Sequence, residues 1–208
     1  MNTRSKSEKF WDRIAKYFGL VEKKDEPINL KIIEKTKKLI NSSNTVLDFG
    51  CGSGTAAIAI ANSVKKNIGI DISSKMIELA KGKAEENKVR NIDFEQATIF
   101  DEKYKTESFD VILCFYLLHL LKDTPRVMQR INDLLKPGGL IISATPCIKG
   151  TYFSYLLSPI SKFGLIPPIK TFNVYELEKL MTDEDFDIVR VECLHKSGQQ
   201  YFVVANKK

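Results

Sequence analysis

Three glycines alternate with other residues at Gly50, Gly52 and Gly54, inside the stretch "VLDFGCGSGTAAIAIA". Glycine at that density weakens helix and strand alike, so the backbone here must turn sharply and let something come close. Asp48 precedes the loop within an apolar run. Asp71 follows roughly 20 residues after the loop, at the end of the next apolar run, "NIGIDIS". A strand, a glycine loop, a helix and then a distant acid make the plan of a nucleotide site. The glycines admit the ligand, the helix N-terminus offers free N–H groups, and the acid accepts from ribose hydroxyls. The spacing G-x-G-x-G followed by Thr55 departs from the G-x-G-x-x-G dinucleotide fingerprint.

The elements that must hold this loop follow from periodicity. Phe10, Trp11, Ile14, Tyr17 and Phe18 recur at helical spacing, with Gly19 as the expected stop. A second helix is expected over about 29–40, a buried strand over 45–49, and a helix over 55–64 after the loop. Ser73 or Ser74 caps the next helix, whose Ile77, Ala80 and Ala84 share a face. "NIDFEQA" alternates like a half-exposed strand, and "FDVILCF" is apolar almost throughout, like a central parallel strand. Thr124 with Pro125 opens a helix that carries Val127, Ile131 and Leu134 inward. "KPGG" reads as a turn and "LIISATP" as the fifth strand. Asn173 and Glu176 form a capping-box pair, and two closing strands joined around Ser197 and Gly198 must be antiparallel. Strands alternating with helices imply a doubly wound α/β sheet, mixed at one edge.

The chain has 208 residues, enough for one domain with a proper core. Its net charge of +6 comes from scattered lysines interrupted by acids, the pattern of a solvated surface rather than a nucleic-acid groove. The four cysteines, Cys51, Cys114, Cys147 and Cys193, form no C-x-x-C pair, and two histidines give little help, so no metal site is expected. No run reaches the ~20 apolar residues of a membrane span, and the N-terminus is polar, so a cytoplasmic protein is expected.

The segment "LDFGCGSG" resembles the first motif of class I S-adenosylmethionine-dependent methyltransferases. In order after it, "GIDIS" resembles their second motif, "FDVILCFYLLHLL" their fourth-strand motif and "LLKPGG" the turn before their fifth strand. The resemblance runs from about residue 31 to 207 and is closest to the small-molecule, ubiquinone/menaquinone-type branch. It implies a Rossmann-like, doubly wound mixed sheet of seven strands with an antiparallel C-terminal hairpin. Residues 1–208 would form a single domain with a helical lid over 1–40. S-adenosylmethionine would be the cofactor, its methionine end received by the glycine loop at Gly50, Cys51, Gly52 and Gly54. Asp48 would favour its ammonium group, or else brace the loop. Asp71 would bind the ribose diol, Ile72 would lie against adenine with help from Met76, and Phe115 would line the site. Where the family often has an acid for the adenine amino group this chain has Thr98, so Thr98, the Ile99 backbone or a shifted Asp101 must serve.

Methyl transfer needs a base only if the acceptor must lose a proton. His119, after the fourth strand, is the candidate base, or a structural residue among leucines; Tyr116, Tyr152 and Tyr155 are candidates to bond an acceptor hydroxyl. His195, in the terminal hairpin loop, is expected at the surface. Residues 147–170 are apolar and aromatic but broken by prolines, so they cannot be one helix. They would wall the acceptor site, which predicts a small-molecule acceptor with a sizeable apolar part; a homodimer contact or a membrane-touching loop are the other uses. The competing functions are a non-catalytic S-adenosylmethionine-binding scaffold and an NAD-dependent oxidoreductase, the latter disfavoured by the missing fingerprint.

Overall fold

The computed structural model describes residues 5–24, 26–152, 154, 169–196 and 198–208, in two compact units that divide after Asp101. The first unit opens with helix α1 (Lys6–Lys24) and helix α2 (Glu26–Lys37). Strand β1 (Thr45–Phe49) feeds the glycine loop, which opens helix α3 (Thr55–Ile60) and a 3-10 turn, Ala61–Ser63. Strand β2 (Lys66–Asp71), helix α4 (Ser74–Glu86) and strand β3 (Ile92–Gln96) complete it. The three strands are parallel, with Leu47 opposite Ile68 and Gly69 opposite Phe94. Ala57, Ile77, Ala80, Ala84 and Phe94 pack together where α3 and α4 cover the strands.

The second unit contains strand β4 (Phe109–Phe115), a 3-10 turn at Leu118–Leu120, helix α5 (Thr124–Leu134) and strand β5 (Leu135–Pro146). Helix α6 (Val174–Thr182) and the antiparallel strands β6 (Phe186–His195) and β7 (Gln200–Lys207) follow. β4 and β5 are parallel, and β5 pairs antiparallel with β7. α5 buries Val127, Met128, Ile131 and Leu134, and α6 starts with the Asn173–Glu176 capping box in full. The seven strands of the expected mixed sheet are present, ordered β3-β2-β1 in the first unit and β4-β5-β7-β6 in the second.

The structure corrects several local expectations. α1 runs through Gly19, where a glycine costs roughly 1 kcal/mol relative to alanine but breaks no hydrogen bond. Tyr17 turns outward, 55% exposed, with the Lys16 ammonium 4.7 Å above its ring. α3 gives way to 3-10 geometry after Ile60, and α5 is capped by Asp123, which accepts from the Arg126 N–H, rather than by Thr124. "KPGG" lies within β5 as an irregularity: the pairing jumps from Phe109–Leu135 to Val111–Leu140, with Gly138 left-handed. Of the 147–170 segment, residues 153 and 155–168, including Tyr155, lie outside the described residues, as does Ser197.

One ring sets the spacing at the heart of the first unit. A Cβ at Gly69 would meet Phe94 ring atoms at 2.6 Å, and one at Gly54 would meet the same ring at 2.7 Å and the Ala80 methyl at 2.9 Å. Phe94 thus fills the room that two glycines leave. Gly69→Ala is expected to destabilise the protein by about 1–3 kcal/mol through overpacking. Urea unfolding checks this: Phe94→Leu in the same chain should recover part of the loss, whereas strictly additive losses would contradict the steric account.

Candidate active site

The glycine loop leaves the carboxyl end of β1, the end of a parallel strand where doubly wound sheets bind ligands. Gly50, Gly52 and Gly54 have φ of 76°, 53° and 80°, all left-handed, which explains the alternate glycines. The loop is tied to β2 beside it. The Ile70 carbonyl accepts from the N–H groups of Gly50 and Cys51 at 2.8 and 3.0 Å. Asp71 accepts from the Gly52 N–H at 3.1 Å through Oδ2 and from the Ser73 N–H at 2.8 Å through Oδ1. Each carboxylate oxygen keeps a further lone pair for a ligand.

Asp48 is 2% exposed. A backbone hydrogen bond from Ala57 in α3 reaches its carboxyl group, while Oδ2 has no hydrogen-bond partner among the described residues. Burial first, and the neighbouring Asp71 charge second, push its pKa up to about 7. Burial also raises Asp71, partly opposed by backbone hydrogen bonds from Ser73, Gly52 and Ile72. Burial, then Asp48 and Asp71, raise the Cys51 thiol well above its ordinary value, so it stays protonated and unreactive. The buried Asp48 and the half-buried Asp71 beside it form a site of negative potential that a cation would relieve.

The sequence reading did not anticipate how α1 clamps this loop. The Phe18 ring stands 3.3 Å from where a Gly52 Cβ would be. Glu22 Oε1 accepts from the hydroxyls of Ser53 and Thr55, each at 2.6 Å, and Oε2 from Lys83 Nζ at 2.7 Å. Lys83 also donates to Ser53 Oγ at 2.6 Å. Further along α1, Asp12 accepts from Ser73 Oγ at 2.7 Å and from the Lys75 N–H at 3.2 Å, and Glu8 accepts from Gln96 Nε2. The Asp12 pairs and the Glu22–Lys83 pair each span 61 residues or more, so no local motif announces them.

The other expected cofactor residues are placed as follows. Ile72 is half-buried, its carbonyl held by Gln96 Nε2 at 3.0 Å. Met76 and Ile99 are 1% exposed, with their side chains in the core. Thr98 is exposed, and its carbonyl accepts from the Asp101 N–H. In the second unit, Phe115 ends β4 and Tyr116 takes a left-handed φ of 53°, unusual for a bulky residue and typical of functional turns. His119 sits in the following 3-10 turn with Nδ1 buried and without a hydrogen-bond partner among the described residues; burial lowers its pKa to about 4, so it is neutral at physiological pH. The Lys170 N–H donates to the His119 carbonyl at 2.7 Å, so the far end of the apolar segment returns to this turn. Tyr152 is 86% exposed and His195 is also exposed.

The α1 clamp has a pH signature. Burial alone raises Glu22, but the hydrogen bonds from Lys83, Ser53 and Thr55 and the Lys83 charge leave its pKa below 4.5. Its contribution is therefore present above 4.5 and lost as pH falls through the lowered folded-state value. The pair keeps 34% and 20% side-chain exposure, so solvent screening holds its contribution to about 1 kcal/mol. Glu22→Gln should speed amide exchange across the C-terminal half of α1 by roughly fivefold at neutral pH. Unchanged protection would contradict the clamp.

Comparison with known proteins gives the family. A family model described as "Methyltransferase domain" matches residues 40–201. The ubiquinone biosynthesis O-methyltransferase of Actinobacillus pleuropneumoniae is 30% identical over 171 residues, 78% of this chain and 71% of that one. Its namesake in Coxiella burnetii is 32% identical over 144 residues, 68% of this chain but 59% of that one. A solved S-adenosylmethionine-dependent methyltransferase from Thermotoga maritima superposes with a TM-score of 0.75 at 18% identity, covering 97% of this chain and 100% of that one. These findings set aside the nicotinamide alternative. The chain belongs to the class I S-adenosylmethionine-dependent methyltransferases of the small-molecule branch, and S-adenosylmethionine is its cofactor.

Proposed function

We propose that this chain transfers a methyl group in line to a small, partly apolar acceptor, with the glycine loop, Asp48 and Asp71 holding the cofactor. The observation that carries the reading is the buried Oδ2 of Asp48, without a partner among the described residues, beside Asp71 and next to a loop whose three glycines are all left-handed. The chemistry of these residues suits S-adenosylmethionine, whose ammonium and sulfonium groups are positive and whose ribose offers a diol. When bound, the cofactor supplies a methyl group already activated on sulfur, so the protein's task is positioning and exclusion of water.

Asp48 accepts the ammonium, and Asp71 accepts from the ribose hydroxyls through the lone pairs its backbone donors leave open. Phe18 and Glu22 hold the glycine loop in its binding form and shield it from solvent. His119, neutral and with an open Nδ1, accepts a hydrogen bond from the acceptor; a pKa near 4 makes it an orienting group rather than a strong base. The acceptor's nucleophile therefore arrives as a good nucleophile or loses its proton to solvent. The apolar composition of 147–170 and its return to the His119 turn support an acceptor with an apolar portion, as do relatives named for ubiquinone biosynthesis.

Calorimetric titration with S-adenosylmethionine and S-adenosylhomocysteine tests the cofactor assignment. Asp71→Asn should weaken both by tenfold or more, with the thermal midpoint showing that the fold survives. An unchanged affinity would remove Asp71 from the site.

A further inference from the structure

α1 sorts its charges by side. All three of its acids, Glu8, Asp12 and Glu22, turn inward onto Gln96, onto Ser73 and Lys75, and onto Ser53, Thr55 and Lys83. Lys6, Lys9, Arg13 and Lys16 are all exposed. Together with Tyr17 and Leu20 they fall within an arc of about 100° on the helix. Leu20 is 69% exposed and Tyr17 55%. The outward face is thus a row of four cations with an aromatic and an aliphatic side chain at one end, and no acid of α1 interrupts it.

From this arrangement we propose that the outer face of α1 docks on a membrane surface carrying anionic headgroups. Anionic lipid complements the whole face: the cations meet headgroups while Tyr17 and Leu20 reach the interfacial region. Nucleic acid would use the cations but gain nothing from an exposed leucine. A second copy seated on the same face would set cation against cation. The apolar side of α1 is already spent on its own unit, with Ala15 buried and Phe18 on Gly52, so the helix does not insert as an amphipathic wedge. Docking is therefore dominated by charge and weakens with salt. This proposal rests on the surface of α1 and stands apart from the methyltransferase chemistry.

Vesicle co-sedimentation of the full chain tests it, using phosphatidylcholine vesicles with and without phosphatidylglycerol. Binding should require phosphatidylglycerol and fall steeply with added salt. Lys9→Glu with Arg13→Glu should reduce it by at least 25-fold, at roughly fivefold per cation removed. Leu20→Ser should reduce it several-fold. Lys81→Glu with Lys88→Glu, an equal charge change at exposed positions elsewhere on the first unit, should retain binding. Circular dichroism confirms that each variant is folded. Equal binding to neutral vesicles, no binding to either kind, or equal loss in both charge-reversal pairs would overturn the proposal. Preference for single-stranded RNA over vesicles at the same salt, or a dimer abolished by Arg13→Glu, would also overturn it, in favour of nucleic acid or a second copy.

Discussion

Two carboxyl groups, the buried Asp48 and the half-buried Asp71, lie beside each other at the carboxyl ends of neighbouring parallel strands. Burying one acid without a full set of partners is costly, and a second carboxylate beside it adds repulsion. The chain relieves this in two ways. Backbone donors from Gly52 and Ser73 satisfy Asp71, and Asp48 retains a proton up to about pH 7. The folded state holds a proton that the unfolded chain releases near 3.8, so this site lowers stability as pH rises between those values. Strain of this kind is what a cationic ligand would relieve, and the surrounding elements are arranged to keep the two acids where they are.

That arrangement works from two sides of the glycine loop. Phe94 occupies the room left by Gly54 and Gly69 and so fixes the approach of α3 and α4 to the strands. α1 meets the loop with the Phe18 ring and the Glu22 carboxylate, and steadies the start of α4 with Asp12. The loop's conformation therefore depends on both packing and charge. Asp71 belongs to both systems, because the same carboxylate that braces the loop has capacity left for a ribose.

Much of this was legible in the sequence, for a physical reason. Loop, strand and cap residues act locally: Gly50, Gly52 and Gly54 report a backbone conformation, Ser73 and Asn173 report helix starts, and unbroken apolar runs report buried strands. The limits of β1 and β4 followed directly from their composition. Contacts between distant segments were not legible. Glu22 is an ordinary acid in a lysine-rich stretch until α1 is laid across the loop, and Gly19 looked like a helix stop because the anchors at Phe18 and Glu22 lie in the tertiary structure. Tyr17 misled for the opposite reason: its apolar ring fits the helical period, yet its position faces solvent and a lysine. "KPGG" has turn chemistry, but strand pairing on both sides absorbed it as an irregularity within β5. Thr98 is exposed, and its carbonyl is engaged by the Asp101 N–H.

The central claim is that a cationic cofactor discharges the buried proton at Asp48. It is tested most directly by calorimetric titration with S-adenosylmethionine near neutral pH, in buffers of different ionisation enthalpy, for the native chain and Asp48→Asn. The account predicts that the native chain releases about half a proton more per cofactor bound than the variant at pH ~7, and that the variant binds more weakly. Identical proton balance and identical affinity in the two proteins would contradict it.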